Sequence, residues 1–142
     1  MHRVDLKTRQ VSTIPGSAGM FSPRMSPDGR YITAFSVGEV KLMLYDTISA
    51  KWSLMTQRGA GGNEWSHDSK YVYMADQSRG FPEVVRINIR SLKLESMLNL
   101  RDMALSSDWF ADWQGVGPDG SVLVMRNKSI EEVYALDLQP SR

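Results

Sequence analysis

Almost the whole chain alternates between short apolar or β-branched runs and polar breaks that carry glycine, proline, aspartate or asparagine. Runs at residues 3–6, 10–14, 21–25, 31–36, 41–46, 52–56, 64–66, 71–75, 83–88, 93–98, 110–113, 122–126 and 132–138 have the composition and bounding residues of β-strands. Residues 58–63 read as a glycine-rich connection and 101–108 as a longer one. Only residues 94–105 are dense enough in leucine and methionine to compete as a helical turn or two. Asn99, Asp102 and the Ser106-Ser107 end argue for an irregular connection there instead.

One stretch is written three times: Ser26-Pro27-Asp28-Gly29-Arg30-Tyr31-Ile32, Ser66-His67-Asp68-Ser69-Lys70-Tyr71-Val72 and Gly117-Pro118-Asp119-Gly120-Ser121-Val122-Leu123. Each reads as a tight turn feeding a strand. Proline fixes φ before the bend, aspartate bonds its own backbone two residues on, and glycine accepts the positive φ that closes the hairpin. Asp28, Asp68 and Asp119 stand 40 and 51 residues apart. A second landmark, the polar residue closing the third strand, recurs as Asp5, Asp46, Asn88 and Asp137 at steps of 41, 42 and 49. The long last step is assigned to residues 113–117, which insert between the aromatic Trp113 and the turn, and to the 101–108 connection.

A period of 40 to 50 residues with four short strands per unit predicts blades of a β-propeller, not a sandwich, whose strands would not recur in sets of four. The expected fold class is all-β, a partial β-propeller of three four-stranded antiparallel blades at 20–57, 62–99 and 109–139, with blade-completing strands in 1–15. Residues 10–14 read as an orphan final strand, and the last unit lacks a final strand, so the strands number one, four, four and three. Three blades fall below the four to eight that propellers use. Two expectations follow: two chains join into a six-bladed ring, each supplying the strand the other lacks, or the chain is cut from a longer one.

Composition narrows the partners. The 142 residues, 42% of them apolar, suffice for one domain with a core. A net charge of +1 from 17 basic and 16 acidic residues gives no electrostatic reason to expect nucleic acid or an anionic membrane. The absence of cysteine excludes disulfides and thiolate metal sites and leaves the compartment, periplasm or cytoplasm, open. No apolar run is long enough to insert in a membrane, and the N-terminus lacks the apolar core of a secretory signal, reading instead as the middle of a repeat.

At residues 21–32, followed by Lys41-Leu42-Met43-Leu44-Tyr45-Asp46, the chain resembles the WD-like repeats of TolB-type β-propellers. Residues 65–73 are similar to the family's tryptophan-serine-proline-aspartate-glycine-lysine pattern, with His67 in place of proline and Ser69 in place of glycine. Met25 stands where the aromatic usually is. The stretch Glu132-Val133-Tyr134-Ala135-Leu136-Asp137 looks like the last blade of propellers that bacteria attach to winged-helix regulators or protein kinases. The resemblance implies a sensory or scaffold domain and no particular ligand, since one fold hosts many functions.

Trp65 and Trp113 precede turns at positions read as matching, where an indole fills the gap between blades more readily than it stacks on a ligand. Trp52 and Trp109 are less constrained, and core or rim packing is the simpler expectation for both; Trp109, beside a loop, is also the candidate to line a binding surface. Arg24, Glu64 and Asp112 each precede an anchor on the innermost strand, where a ring brings them to the central channel. They form either a polar mouth for a small polar ligand, metal ion or peptide, or inter-blade ion pairs, and the pairing is the simpler expectation. The turn aspartates offer one carboxylate each, too few for calcium, and His67 lacks a neighbouring nucleophile and orienting acid. Met43, Met55, Met74, Met97 and Met125 lie in strand runs and are expected in the core. No cofactor, metal site or catalytic residue is expected.

The first functional expectation is a non-catalytic interaction or sensor module for a protein, peptide or small polar ligand. The second is the propeller portion of a prolyl-oligopeptidase-like peptidase, which needs a glycine-x-serine-x-glycine hydrolase domain that these residues lack. A third, a hydrolase or lyase working in the channel, needs converging metal ligands.

Overall fold

The computed structural model describes residues 1–39, 41–58, 61–103 and 115–124. Twelve strands are present among them: β1 His2–Val4, β2 Val11–Thr13, β3 Met20–Met25, β4 Tyr31–Ser36, β5 Leu42–Asp46, β6 Lys51–Thr56, β7 Gly61–Trp65, β8 Tyr71–Asp76, β9 Glu83–Asn88, β10 Leu94–Asn99, β11 Gly115–Val116 and β12 Val122–Leu123. They form two four-stranded antiparallel sheets in sequence order, β3 to β6 and β7 to β10, with the two-stranded hairpins β1–β2 and β11–β12 on either side. This is part of a β-propeller: each sheet is a blade, and β3, β7 and β11 are its innermost strands, β7 packing against both of the others.

Two turns set the repeat. In the first, Ser26 Oγ donates to Asp28 Oδ1 at 2.6 Å and accepts the Tyr31 N–H at 2.9 Å, while the same carboxylate accepts the Arg30 N–H. Ser66, Asp68, Lys70 and Tyr71 repeat these bonds. In the third copy Gly117 replaces the serine, and the Gly117 N–H reaches Ser121 O, a closure one residue tighter than Ser26 to Tyr31. The second turn follows Asp5, Asp46 and Asn88, whose side-chain oxygens each accept a backbone N–H two residues on. Four residues beyond each of these stands a non-glycine residue in the left-handed region: Arg9 (φ 58°), Ala50 (54°) and Leu92 (55°).

The main core lies between the blades. Phe35, Leu42, Leu44, Met55, Trp65, Val72, Met74, Val85 and Ile87 form one cluster, and Tyr73, Val84 and Leu100 form a second with Val116, Val122 and Val124 packed on it. Middle strands are buried on both faces, which is why β4 and β9 show no apolar-polar alternation. Each fully buried valine, leucine, isoleucine or phenylalanine contributes about 1.5–3 kcal/mol of apolar transfer.

Several expectations change. Residues 61–63 are not connection but the start of β7, because Gly62 takes φ 58° and forms a bulge inside the strand. Residues 94–99 are strand, as the run at 93–98 predicts, so the irregular connection expected over 94–105 does not include them; they pair along β9 with a register shift after Ser96. The front of the chain contributes two paired strands, not one orphan, so the count of one, four, four and three does not hold. Met97 is 38% exposed on the outer strand, where there is no next layer to cover it; Met43 is half-buried and Met125 lies outside the described residues. Val116, not Trp113, holds the place of Trp65: Val116 pairs Val122 as Trp65 pairs Val72.

Candidate functional site on the innermost strands

The innermost strands carry a shared irregularity. β3 slips by one residue between Phe21 and Arg24, and β7 between Gly61 and Asn63. Ser22 (φ 51°) and Gly62 (φ 58°) occupy the same place in the two bulges. Beyond the bulge, two side chains of β7 grip the backbone of β3. Asn63, fully buried, donates from Nδ2 to Ser22 O at 3.0 Å and accepts the Thr33 hydroxyl on Oδ1 at 2.6 Å. Trp65 donates its indole N–H to Arg24 O at 3.1 Å and stacks on Tyr31.

These contacts fix the main chain on both sides of Arg24, and its side chain meets Glu64 of the next blade at 3.7 Å. Both side chains stay close to half exposed, 50% and 41%, so the pair contributes no more than about 1 kcal/mol to stability. Its charges remain open to solvent. Asp112 and Trp109, the other two residues expected here, lie outside the described residues, as does Trp113. With Val116 in the anchor position, the residue at the level of Arg24 and Glu64 in the third unit is Gly115.

Trp52 packs on Tyr45 at 5.0 Å and donates its indole N–H to Pro15 O at 2.8 Å, tying the outer strand of the first blade to the end of the β1–β2 hairpin. Gly16 allows that approach: its φ is 67°, and a Cβ there would sit 3.1 Å from the indole. His67 is exposed in its turn.

At the end of the blades where β8 hands over to β9 lies a buried charge cluster that no sequence pattern signalled. Asp76 and Glu83 face each other across the ladder, both nearly inaccessible to solvent. The Arg58 guanidinium, on the connection from the first blade, pairs with Asp76 and lies 3.5 Å from Glu83. Arg58 also donates to Ser78 Oγ, Ser96 Oγ donates to Glu83 Oε2, and the Ser78 N–H reaches Asp76 Oδ1. At the opposite end a groove of about 350 Å³ runs between the turns, lined by Asp28, Arg30, Tyr31, Asp68, Ser69, Lys70 and Arg90. Its carboxylates are occupied. The Ser66 hydroxyl, then the Lys70 side chain and N–H, hold the Asp68 carboxyl down at about 2, and Ser26 followed by the Arg30 N–H lowers Asp28. Among the described residues no three metal-ligating side chains of the histidine, cysteine and carboxylate type converge.

The fold is shared with solved propellers. TolB from Acinetobacter baumannii superposes with a TM-score of 0.61 at 15% identity over 90% of this chain and 43% of that one. The tricorn protease matches with a TM-score of 0.53 at 11% identity, over 72% of this chain and 10% of that chain. The β-propeller domain of the Trilobed protease from Pyrococcus furiosus, described as having an open velcro topology, gives 0.51 at 16% identity over 69% and 38%. No protein-family model matches the chain, and no curated protein matches it in sequence. The chain therefore has the fold of part of a TolB-like or protease-type β-propeller, and it spans less than half the length of each of these structures.

Proposed function

We propose that this chain is a non-catalytic propeller segment that binds a protein or peptide of mixed charge at the innermost strands, and that its ring is completed by self-association. The observation that carries the binding reading is the Arg24–Glu64 pair: two opposite charges on adjacent blades, half exposed, with their backbones clamped by Asn63 and Trp65. An exposed pair adds little to stability, so its charges are free to exchange partners with a ligand at little cost, while the clamped backbone supplies preorganisation. The sequence supports a module without chemistry of its own, since it holds no nucleophile elbow and its two histidines stand far apart.

A peptide array of alternating acidic and basic segments tests the reading. Binding is expected to fall at least tenfold in Arg24→Ala and in Glu64→Ala, and to persist in Lys51→Ala, on the exposed outer strand. Retention of binding in both inner-strand variants refutes it. A second reading, the propeller portion of a peptidase, draws on the likeness to the tricorn and Trilobed protease propellers. It predicts that a longer product of the same gene carries a hydrolase domain and is labelled by an active-site serine probe.

A further inference from the structure

We propose that β12 of a second copy of this chain adds to the free edge of β1, so that the β1–β2 and β11–β12 hairpins of two copies make one shared four-stranded blade. This rests on the self-association reading above and names the strands that carry it.

The repeat identifies each hairpin as half a blade. β1 runs into the Asp5 turn as β5 runs into the Asp46 turn and β9 into the Asn88 turn, so β1–β2 are third and fourth strands. β11 and β12 flank the Asp119 turn as β3 and β4 flank Asp28, so they are first and second strands. Every third strand of the whole blades is paired on both edges, whereas among the described residues β1 is paired with β2 alone. The bonds from the Asp5 N–H to Gln10 O and from the Ile14 N–H to Met1 O set the alternation of that pair. The main-chain groups of His2 and Val4 therefore point away from β2, toward the place that a second strand takes in the whole blades.

The register is dictated by the whole blades. Ile32 opposes Tyr45 and Val72 opposes Ile87, which places Val122 of the incoming strand opposite Val4. Thr33 opposes Leu44 and Tyr73 opposes Arg86, which places Leu123 opposite Arg3. The side chains then find partners. Tyr73 shares a cluster with Val116 and Val122 of the following unit, and by the same geometry Leu123 meets Met25 and Ile32. In the single chain Leu123 is 56% and Met25 49% exposed. Between Met25 and β1 lies a largely apolar cavity of about 230 Å³, walled by His2 and Arg3 of β1 and by Ile14, Pro23, Met25 and Ile32. On the other face Val4 and Val11, also exposed, come beside Val122, which already packs in the second core cluster. Two copies joined at both hairpins give four whole and two shared blades, a closed six-bladed ring with a two-fold axis. The rival occupant of the β12 edge is the chain's own run at 132–138.

Light scattering on the eluting 142-residue chain at micromolar concentration is expected to give twice the chain mass. Val4→Pro removes an N–H from the free edge and no bond to β2; Leu123→Asp places a charge in the apolar cavity. Each alone is expected to give the single-chain mass. An equimolar mixture is expected to recover twice the mass, because β12 of the first variant and β1 of the second are intact. Circular dichroism establishes that the variants are folded; if Val4→Pro is not, Val4→Lys replaces it with the same expectation. A wild-type chain of single mass, variants that stay paired, or a mixture of folded variants that stays single overturns the proposal. The array binding of the inner strands is read separately and stands or falls independently.

Discussion

Ser69 occupies the left-handed position of its turn, φ 58°, where the first and third turns place Gly29 (73°) and Gly120 (82°). An L-residue there costs about 1–2 kcal/mol relative to a helical or extended conformation, and glycine escapes most of that cost. The structure shows what offsets it. Ser69 is buried, and its Oγ accepts the Asp28 N–H at 3.1 Å, joining the turns of successive blades. Ser69→Ala keeps the strained backbone and loses the acceptor, leaving a partly buried N–H unpaired, for a net loss of about 1–2 kcal/mol. Ser69→Gly loses the same bond but relieves about 1 kcal/mol of backbone strain, so it falls about 0–1 kcal/mol below wild type. Urea titration followed by the emission of the buried Trp65 measures both. The discriminating quantity is the gap between the variants, about 1 kcal/mol in favour of glycine, with alanine below wild type. If alanine matches wild type and glycine exceeds it by 1 kcal/mol or more, the inter-blade bond contributes nothing and the reasoning fails.

Three other outcomes are expected. Ala50→Gly, at a left-handed position with no side-chain role, stabilises by about 0.5–1 kcal/mol in the same titration. Because the folded Asp68 carboxyl sits at about 2, below its ordinary 3.8, it contributes stability above pH 4 that is lost as pH falls toward 2; discounted for its exposure this is about 1 kcal/mol, and Asp68→Asn removes that part of the acid limb in a stability-versus-pH series. Arg58→Met leaves Asp76 buried without its cation and Glu83 with only the half-exposed Arg79 at 3.7 Å, and costs about 3–5 kcal/mol, whereas the triple change Arg58→Met, Asp76→Asn, Glu83→Gln recovers most of it, as thermal melts of the two proteins will show.

Local rules made the strands legible. The run 31–36 is β4 and 83–88 is β9 because turn residues bracket each and β-branched or aromatic residues recur between them. What the sequence hid depends on partners far along the chain. Ser69 reads as a weakened turn until Asp28 is placed beside it. Gly61 and Gly62 read as a linker because glycine in a bulge and glycine in a loop are the same letter; the signal was Ser22, which stands before Gly62 at the spacing that separates Asp28 from Asp68. Asn63 has the composition of a loop residue and the position of an anchor. At the candidate site, Arg24 and Glu64 were visible as recurring charges ahead of the anchors, while the register that substitutes Val116 for Trp113 depended on how tightly the third turn closes.

The placement of polar groups explains how two blades hold one geometry at their inner edge. Apolar contacts between sheets are non-directional and would permit sliding or fanning. The junction between the two whole blades instead carries directional contacts at three levels: the Asp28 N–H to Ser69 at one end, Asn63 and Trp65 to the β3 backbone in the middle, and Arg58 to Asp76 and Glu83 at the other end. Three separated attachments restrain rotation as well as translation, so the distance between Arg24 and Glu64 is set by the blades and not by the pair's own weak attraction. That division, with stability in the buried bonds and open charge at the inner strands, is what lets the surface residues of such a fold be exchanged while the scaffold stays the same.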